Sequence, residues 1–237
     1  MKISGQICAK ALNKVLKEVS ANVTCLHLDK IARQELQSMG ASSSFMTVED
    51  YRWTICTTIN HQVVHGIPGP TKLEEGDILG IDIGAIYQGF HSDMALTVPI
   101  GNVSPKTQHF LDVGEKTLNA AISKAKVGNR IGDISSTIQE MIEQAGYSAV
   151  RSLTGHGIGR QLHEEPMVPC FGEARTGPKI LEGMTLAIEV IYSQGKGDVF
   201  MEKDGWTIST QDGSLGGLFE KTVAVAKEGP IVLTPYL

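Results

Sequence analysis

Four carboxylates and one imidazole, Asp82, Asp93, Glu189, Glu220 and His156, each stand in a short apolar or glycine-rich frame, and together they span more than half the sequence. Ile81-Asp82-Ile83, Ile188-Glu189-Val190 and Leu218-Phe219-Glu220 have the makeup of core strands. An unpaired carboxylate buried in such a strand loses hydration that nothing restores. A fold that buries these frames must therefore gather the acids around a cation, because clustered carboxylates repel one another. Two divalent ions would balance the four carboxylates charge for charge, which points to a two-metal hydrolase centre.

The sharpest local expectation concerns Ile78 to Ile86 and Phe90 to Val98, two apolar runs that read as strands joined at Gln88-Gly89. A two-residue turn there sets Asp82 opposite Ala95 and puts Asp93 on the same face, two residues along. Like charges so placed destabilise a hairpin unless an ion is held between them.

Elsewhere the chain alternates helices and strands. Ile7, Ala11, Val15 and Val19 recur at helical spacing, and Thr24 reads as the N-cap of a helix ending near Gly40. Ser42 to Val48 reads as loop, and Trp53 to Ile59 as a strand. Ser104-Pro105 opens a helix to about Lys126, and a second runs from Ile134 to Ala145 with Gly146 at its C-cap. Strands are expected at Ser148 to Ser152, Met184 to Ile191, Val199 to Glu202, Trp206 to Thr210, Leu218 to Ala226 and Ile231 to Thr234. Two helices and strands thus occur before Gly101 and again after it. The echo of His65-Gly66-Ile67 in His156-Gly157-Ile158 is either chance or the trace of two similar halves facing a shared site.

With 237 residues and no Pro/Ser/Gly-rich linker between the halves, the chain reads as one α+β domain over 1–237, the helices of 1–40 included. A net charge of −5 gives no reason to expect nucleic acid or an anionic membrane as partner. Cys8, Cys25, Cys56 and Cys170 form no CxxC pair, so free thiols in a reducing cytoplasm are expected. No apolar run reaches membrane-spanning length, and the amphipathic start lacks a signal-like apolar core.

Thr154 to Arg160 packs glycines around His156, either as a flexible loop or as backbone closing on a ligand. Imidazole suits zinc, cobalt, manganese or iron better than calcium. His163, before Glu164-Glu165-Pro166, either lines the same cavity or faces solvent. Glu220 beside Lys221 is either an edge charge pair or a ligand, and strand alternation sends Lys221 to the other face.

The ordered set resembles the type I methionine aminopeptidases of the pita-bread metallopeptidase family. It runs from Asn60 and His65-Gly66-Ile67-Pro68 through Gly76-Asp77-Ile78 and Gly89-Phe90-His91-Ser92-Asp93 to Gly155-His156-Gly157-Ile158-Gly159. His163-Glu164-Glu165-Pro166, Glu182-Gly183-Met184, Glu189, Asp204-Gly205-Trp206-Thr207 and Glu220 complete it. The resemblance implies two αα-plus-antiparallel-sheet halves around a central curved sheet. It makes Asp82 a terminal ligand of one metal, Asp93 and Glu220 bridges, and His156 and Glu189 the remaining ligands of the second. Glu189 would also shuttle protons. His65 and His163 would contact substrate at the scissile amide, and Tyr51, Cys56 and Trp206 would line a methionine pocket. The implied protein is a cytoplasmic monomer holding two ions of cobalt, manganese, iron or zinc, acting on the N-termini of nascent polypeptides, with transient ribosome association.

The chain departs from that pattern at Arg52, His61, Val64, Val190 and Lys221, none a proposed ligand. Two other readings remain: a Xaa-Pro aminopeptidase or prolidase on the same scaffold, and a degenerate relative that only binds proteins. The former group carries a large extra N-terminal domain. The latter group loses metal ligands, whereas all five are filled here.

Overall fold

The computed structural model describes residues 1–236. Helix α1 (Lys2–Leu16) buries Ile7, Ala11 and Val15 along one stripe, and α2 (Cys25–Ser38) starts where the Thr24 hydroxyl accepts the His27 amide hydrogen. The segment expected to be loop instead forms a short strand, β1 (Ser42–Ser43), and a 3-10 turn, Phe45–Thr47. Its small polar residues satisfy backbone groups indoors: the Ser43 hydroxyl donates to the Thr54 carbonyl, and the Ser44 amide donates to Gly84.

Strands β2 (Ile55–Ile59), β3 (Gln62–Val64), β4 (Ile78–Tyr87) and β5 (Phe90–Pro99) follow, β3 being one that the sequence reading missed. Next come α3 (Pro105–Ile122) and α4 (Ile131–Gln144). The Ser104 hydroxyl caps α3 by accepting the Thr107 amide hydrogen. That helix stops short of Lys126 because the chain winds into tight turns that lead to Gly128 at φ 95°. The fourth helix begins earlier than expected because Asp133 accepts amide hydrogens from both Arg130 and Arg175.

These two bonds, Arg130 first, hold the Asp133 carboxyl below its usual pKa. A group depressed in the folded state stabilises it above the unfolded pKa of about 3.9, and that contribution fades as pH falls through the lower folded value. Asp133→Ala is expected to cost about 1 kcal/mol at neutral pH, about 2–4 °C in melting temperature for a chain of this size. Thermal melts at pH 7 and pH 3 check it: the difference between variant and parent should shrink at the lower pH.

The remaining strands are β6 (Ser148–Ala149), β7 (Thr154–Gly157), β8 (Glu164–Pro169), β9 (Thr185–Ser193), β10 (Val199–Met201), β11 (Ile208–Thr210), β12 (Gly216–Ala226) and β13 (Gly229–Val232). The flexible-loop alternative for the histidine segment does not hold, since β7 pairs with both β8 and β9. Its glycines permit that closeness: a Cβ on Gly155 would meet the Ala187 carbonyl oxygen at 2.5 Å, and one on Gly157 would meet that of Glu165 at 2.3 Å.

One ten-stranded antiparallel sheet runs β1-β4-β5-β12-β9-β7-β8, with β2 on β4, β6 on β9 and β13 on β12. A separate three-stranded sheet runs β10-β11-β3. Two cores pack on the large sheet, both on the face opposite the acids. In one, Leu12, Leu28 and Leu36 of the first helix pair pack on Leu79, Ile81, Ile83 and Met94. In the other, Phe110, Leu118, Ile134 and Ile138 of the second pair pack on Ile188, Val190 and Val223. This is the expected pita-bread arrangement of two αα-plus-sheet halves. Pairing of β5 with β12 joins the halves.

Candidate metal centre

Register alone gathers the acids. Asp82 on β4 lies opposite Ala95 on β5, Ala95 opposite Glu220 on β12, and Glu220 opposite Glu189 on β9. Residues paired across antiparallel strands share a face, so this transverse row carries three carboxylates on one side of the sheet. Asp93 pairs with Gly84, two residues along from Asp82, as the hairpin argument required. His156 pairs with Ala187, two residues from Glu189. Ligand atoms of Asp93, His156 and Glu220 all lie within 4.8 Å of one another, and His156 Nε2 is 3.6 Å from Glu189 Oε1.

The Gly157 carbonyl accepts a hydrogen bond from His156 Nδ1 at 2.8 Å, so the proton sits on that nitrogen and leaves Nε2 with its lone pair toward the acids. Burial lowers the imidazole pKa to about 4, keeping it neutral at physiological pH. Burial pushes the Asp82 carboxyl up to about 7. Asp93, Glu189 and Glu220 rise well above the carboxylate range, first through burial and then through neighbouring acids: Asp82 foremost for Asp93 and Glu189, and Asp93 foremost for Glu220.

Asp82 Oδ1, Asp93 Oδ1 and Glu220 Oε1 are buried without any hydrogen-bond partner. Orphaned acceptors of this kind are rare in native interiors. Glu189 and Glu220 face each other directly, a like-charge pairing that weakens a ladder. A hard or borderline divalent cation satisfies both conditions, and three oxygens with one imidazole nitrogen are a fitting donor set for it. Lys221 supplies no alternative charge: it points to the opposite face, with Nζ 3.9 Å from the centre of the Tyr236 ring.

The acids floor a cavity of about 120 Å³ that also contains His65, His163, Tyr51, Cys56 and Trp206. All ten residues singled out from the sequence thus meet in one place. His65 reaches it through unusual backbone: its φ is 58°, and Asn60 at φ 53° turns β2 toward β3. The neighbouring Gly66 lies so close to β2 that a Cβ there would meet the Thr57 carbonyl oxygen at 2.0 Å. The His65 ring keeps an exposed edge, yet surrounding protein and then the charge of His163 lower its pKa. His163 sits at the rim with its ring centre 4.4 Å from that of His156, edge to face, and burial lowers its pKa too. Its surface-facing alternative therefore gives way to a mixed position, exposed but lining the cavity.

One cavity wall is apolar. The Tyr51 ring meets Trp206 at 5.0 Å and Phe45 at 6.4 Å, both edge to face. Asp204 orients Trp206 by accepting the amide hydrogens of Trp206 and Thr207, each at 2.8 Å. Cys56 pairs with Asp82 across the ladder, and burial keeps its thiol protonated. Phe45, Val48 and Leu162 complete the wall. The sequence reading missed them: they carry no signal beyond apolarity, and the first two fall where it expected loop.

A profile of metallopeptidase family M24 matches residues 1–226. The chain is 42% identical over 234 residues to the methionine aminopeptidase of Clostridium perfringens, covering 99% of this chain and 94% of that one. It is 38% identical to methionine aminopeptidase 1 of Bacillus subtilis, with the same coverage. The crystal structure of the Thermotoga maritima methionine aminopeptidase superposes with a TM-score of 0.97 at 36% identity, covering 99% of this chain and 94% of that one. The Pyrococcus furiosus prolidase shares the fold alone, with a TM-score of 0.80 at 22% identity over 99% of this chain and 62% of its own. The fold and the acid-lined cavity define a metallopeptidase. The chain belongs to metallopeptidase family M24, among its methionine aminopeptidases.

Proposed function

We propose that this chain is a metal-dependent aminopeptidase that removes the N-terminal methionine from polypeptides, with residues 1–237 acting as one catalytic domain. The observation that carries the reading is the cluster of orphaned carboxylate oxygens beside a slot lined by Cys56, Tyr51 and Trp206. A soft thiol and aromatic edges suit a thioether side chain. Asp82 would hold one ion, Asp93 and Glu220 would serve both, and His156 with Glu189 would complete the second. Such ions, of cobalt, manganese, iron or zinc, supply Lewis-acid charge and bring the pKa of a water toward neutrality.

The protein's own groups do the rest. Glu189 takes the proton of the attacking water and passes it to the departing amine. His163, neutral because burial lowers its pKa, donates to the developing oxyanion. His65 hydrogen-bonds the nitrogen side of the scissile amide. The free α-amino group would sit against an ion or a nearby carboxylate, which confines the reaction to chain ends. The physiological setting we assign is a cytoplasmic monomer meeting nascent N-termini in transient contact with the ribosome. Four buried free thiols support a reducing compartment. Among the described residues no helix is long and apolar enough to cross a membrane.

Reconstituting the metal-free protein with each ion and assaying methionine release from a Met-Ala-Ser peptide, beside Xaa-Pro peptides, tests the assignment. Activity confined to Xaa-Pro peptides, or none with any ion, would overturn it. His65→Ala is expected to keep its metal while losing about 10²–10³-fold in turnover, the usual scale for a positioned hydrogen-bonding group. Elemental analysis alongside the peptide assay reads both quantities.

A further inference from the structure

Asp29 is a carboxylate on the buried side of α2, 3% exposed, far along the chain from the acid cluster and unused by the chemistry above. Its Oδ1 accepts the amide hydrogens of Thr54 at 2.6 Å and Ile55 at 3.2 Å, where the chain enters β2. Arg33, one helical turn on, stands 3.8 Å from its Oδ2. The Arg33 guanidinium donates to the Thr54 hydroxyl and to the Arg52 carbonyl, each at 3.1 Å. Four contacts from two residues thus grip 52–55.

That stretch lies between two parts of the apolar wall. Tyr51 precedes it, and the Tyr51 hydroxyl donates to the Ile55 carbonyl at 2.8 Å. Cys56 follows it directly. We propose that Asp29 and Arg33 are positioning residues that set the width of the side-chain slot from the outer surface, and so govern selectivity for methionine without touching substrate or metal. This rests on the methionine aminopeptidase reading for its substrate. The mechanical part is independent of it: the clasp fixes the edge of the slot, and loosening it lets Tyr51 and Cys56 drift apart. A carboxylate bonded to two amides resists rotation, and the bidentate-capable guanidinium adds direction that an ammonium would not.

The test uses Arg33→Met, which keeps a long stem at a part-exposed site, together with Asp29→Ala and the conservative Asp29→Asn. Arg33→Met is expected to raise KM for Met-Ala-Ser about three- to tenfold with kcat within about twofold, to narrow the preference over Leu-Ala-Ser, and to leave metal content unchanged. Asp29→Ala should do more, and Asp29→Asn, which keeps an acceptor oxygen, less. A second readout needs no activity: alkylation of Cys56, followed by mass spectrometry, should quicken severalfold in Arg33→Met. Lower melting temperatures with unchanged KM, selectivity and labelling would make the clasp merely structural and overturn the proposal. Absence of methionine release from the parent protein would instead fall on the functional reading, and the labelling rate would still decide the clasp.

Discussion

Glu220→Ala is expected to lose its metal and about 10³-fold or more of its activity. Glu220 is 2% exposed, sits opposite Glu189, and is one of three groups whose ligand atoms lie within 4.8 Å of one another. As the ligand proposed to serve both ions, Glu220 would take several kcal/mol of transition-state stabilisation with it, and each 1.36 kcal/mol is tenfold in rate. The sign of the stability change depends on the ions. With chelator present, Glu220→Gln should melt above the parent, because it removes an acid that without an ion must be either buried as a charge or protonated on folding. With metal present it should melt below, because the ions no longer bind tightly. Elemental analysis and paired melts check both. A Glu220→Ala protein that keeps full metal and full activity refutes the bridging role.

Chelation of the parent protein should lower its melting temperature. A ligand at about a hundred times its dissociation constant stabilises the folded state by about 2.7 kcal/mol, or about 5–10 °C for a chain of this length. The loss should grow with pH. Without metal, the folded-state carboxyl pKa values are raised, Asp82 to about 7, against about 3.9 for an unfolded aspartate. A raised acid binds more protons folded than unfolded, so metal-free stability falls as pH rises through that interval. Ion binding runs the other way, since it requires deprotonated ligands. The melting difference with and without chelator should therefore be larger at pH 8 than at pH 5.5, as scanning calorimetry would read. Equal melting temperatures at both pH values would mean that no ion relieves the cluster.

Much of the centre was legible because it depends on short-range rules. The turn at Gln88-Gly89 and strand alternation gave the pairing of Asp82 with Ala95 directly, as the ladder has it. The caps at Thr24 and Ser104 were equally local. Asp29 was illegible for a matching reason. On a helix between Leu28 and Lys30 it reads as a solvated acid, and only the arrival of Thr54 and Ile55 gives it partners. Strands β3, β7 and β8, none of them expected from the sequence, owe their form to their neighbours rather than to their own composition: β3 pairs with β11, and β7 with β8 and β9.

The sequence by itself determined which side chains had to be brought together, since a carboxylate framed by isoleucines has no stable place without a cation. It also determined the helices and the central hairpin, whose periodicity and turn chemistry act over a few residues. Only the tertiary structure decided that Glu189 faces Glu220, that His65 bends into the cavity with positive φ, and that α2 fastens the slot. Those depend on pairings between distant segments, which are chosen by the burial of whole faces and leave no mark in any short stretch of chain.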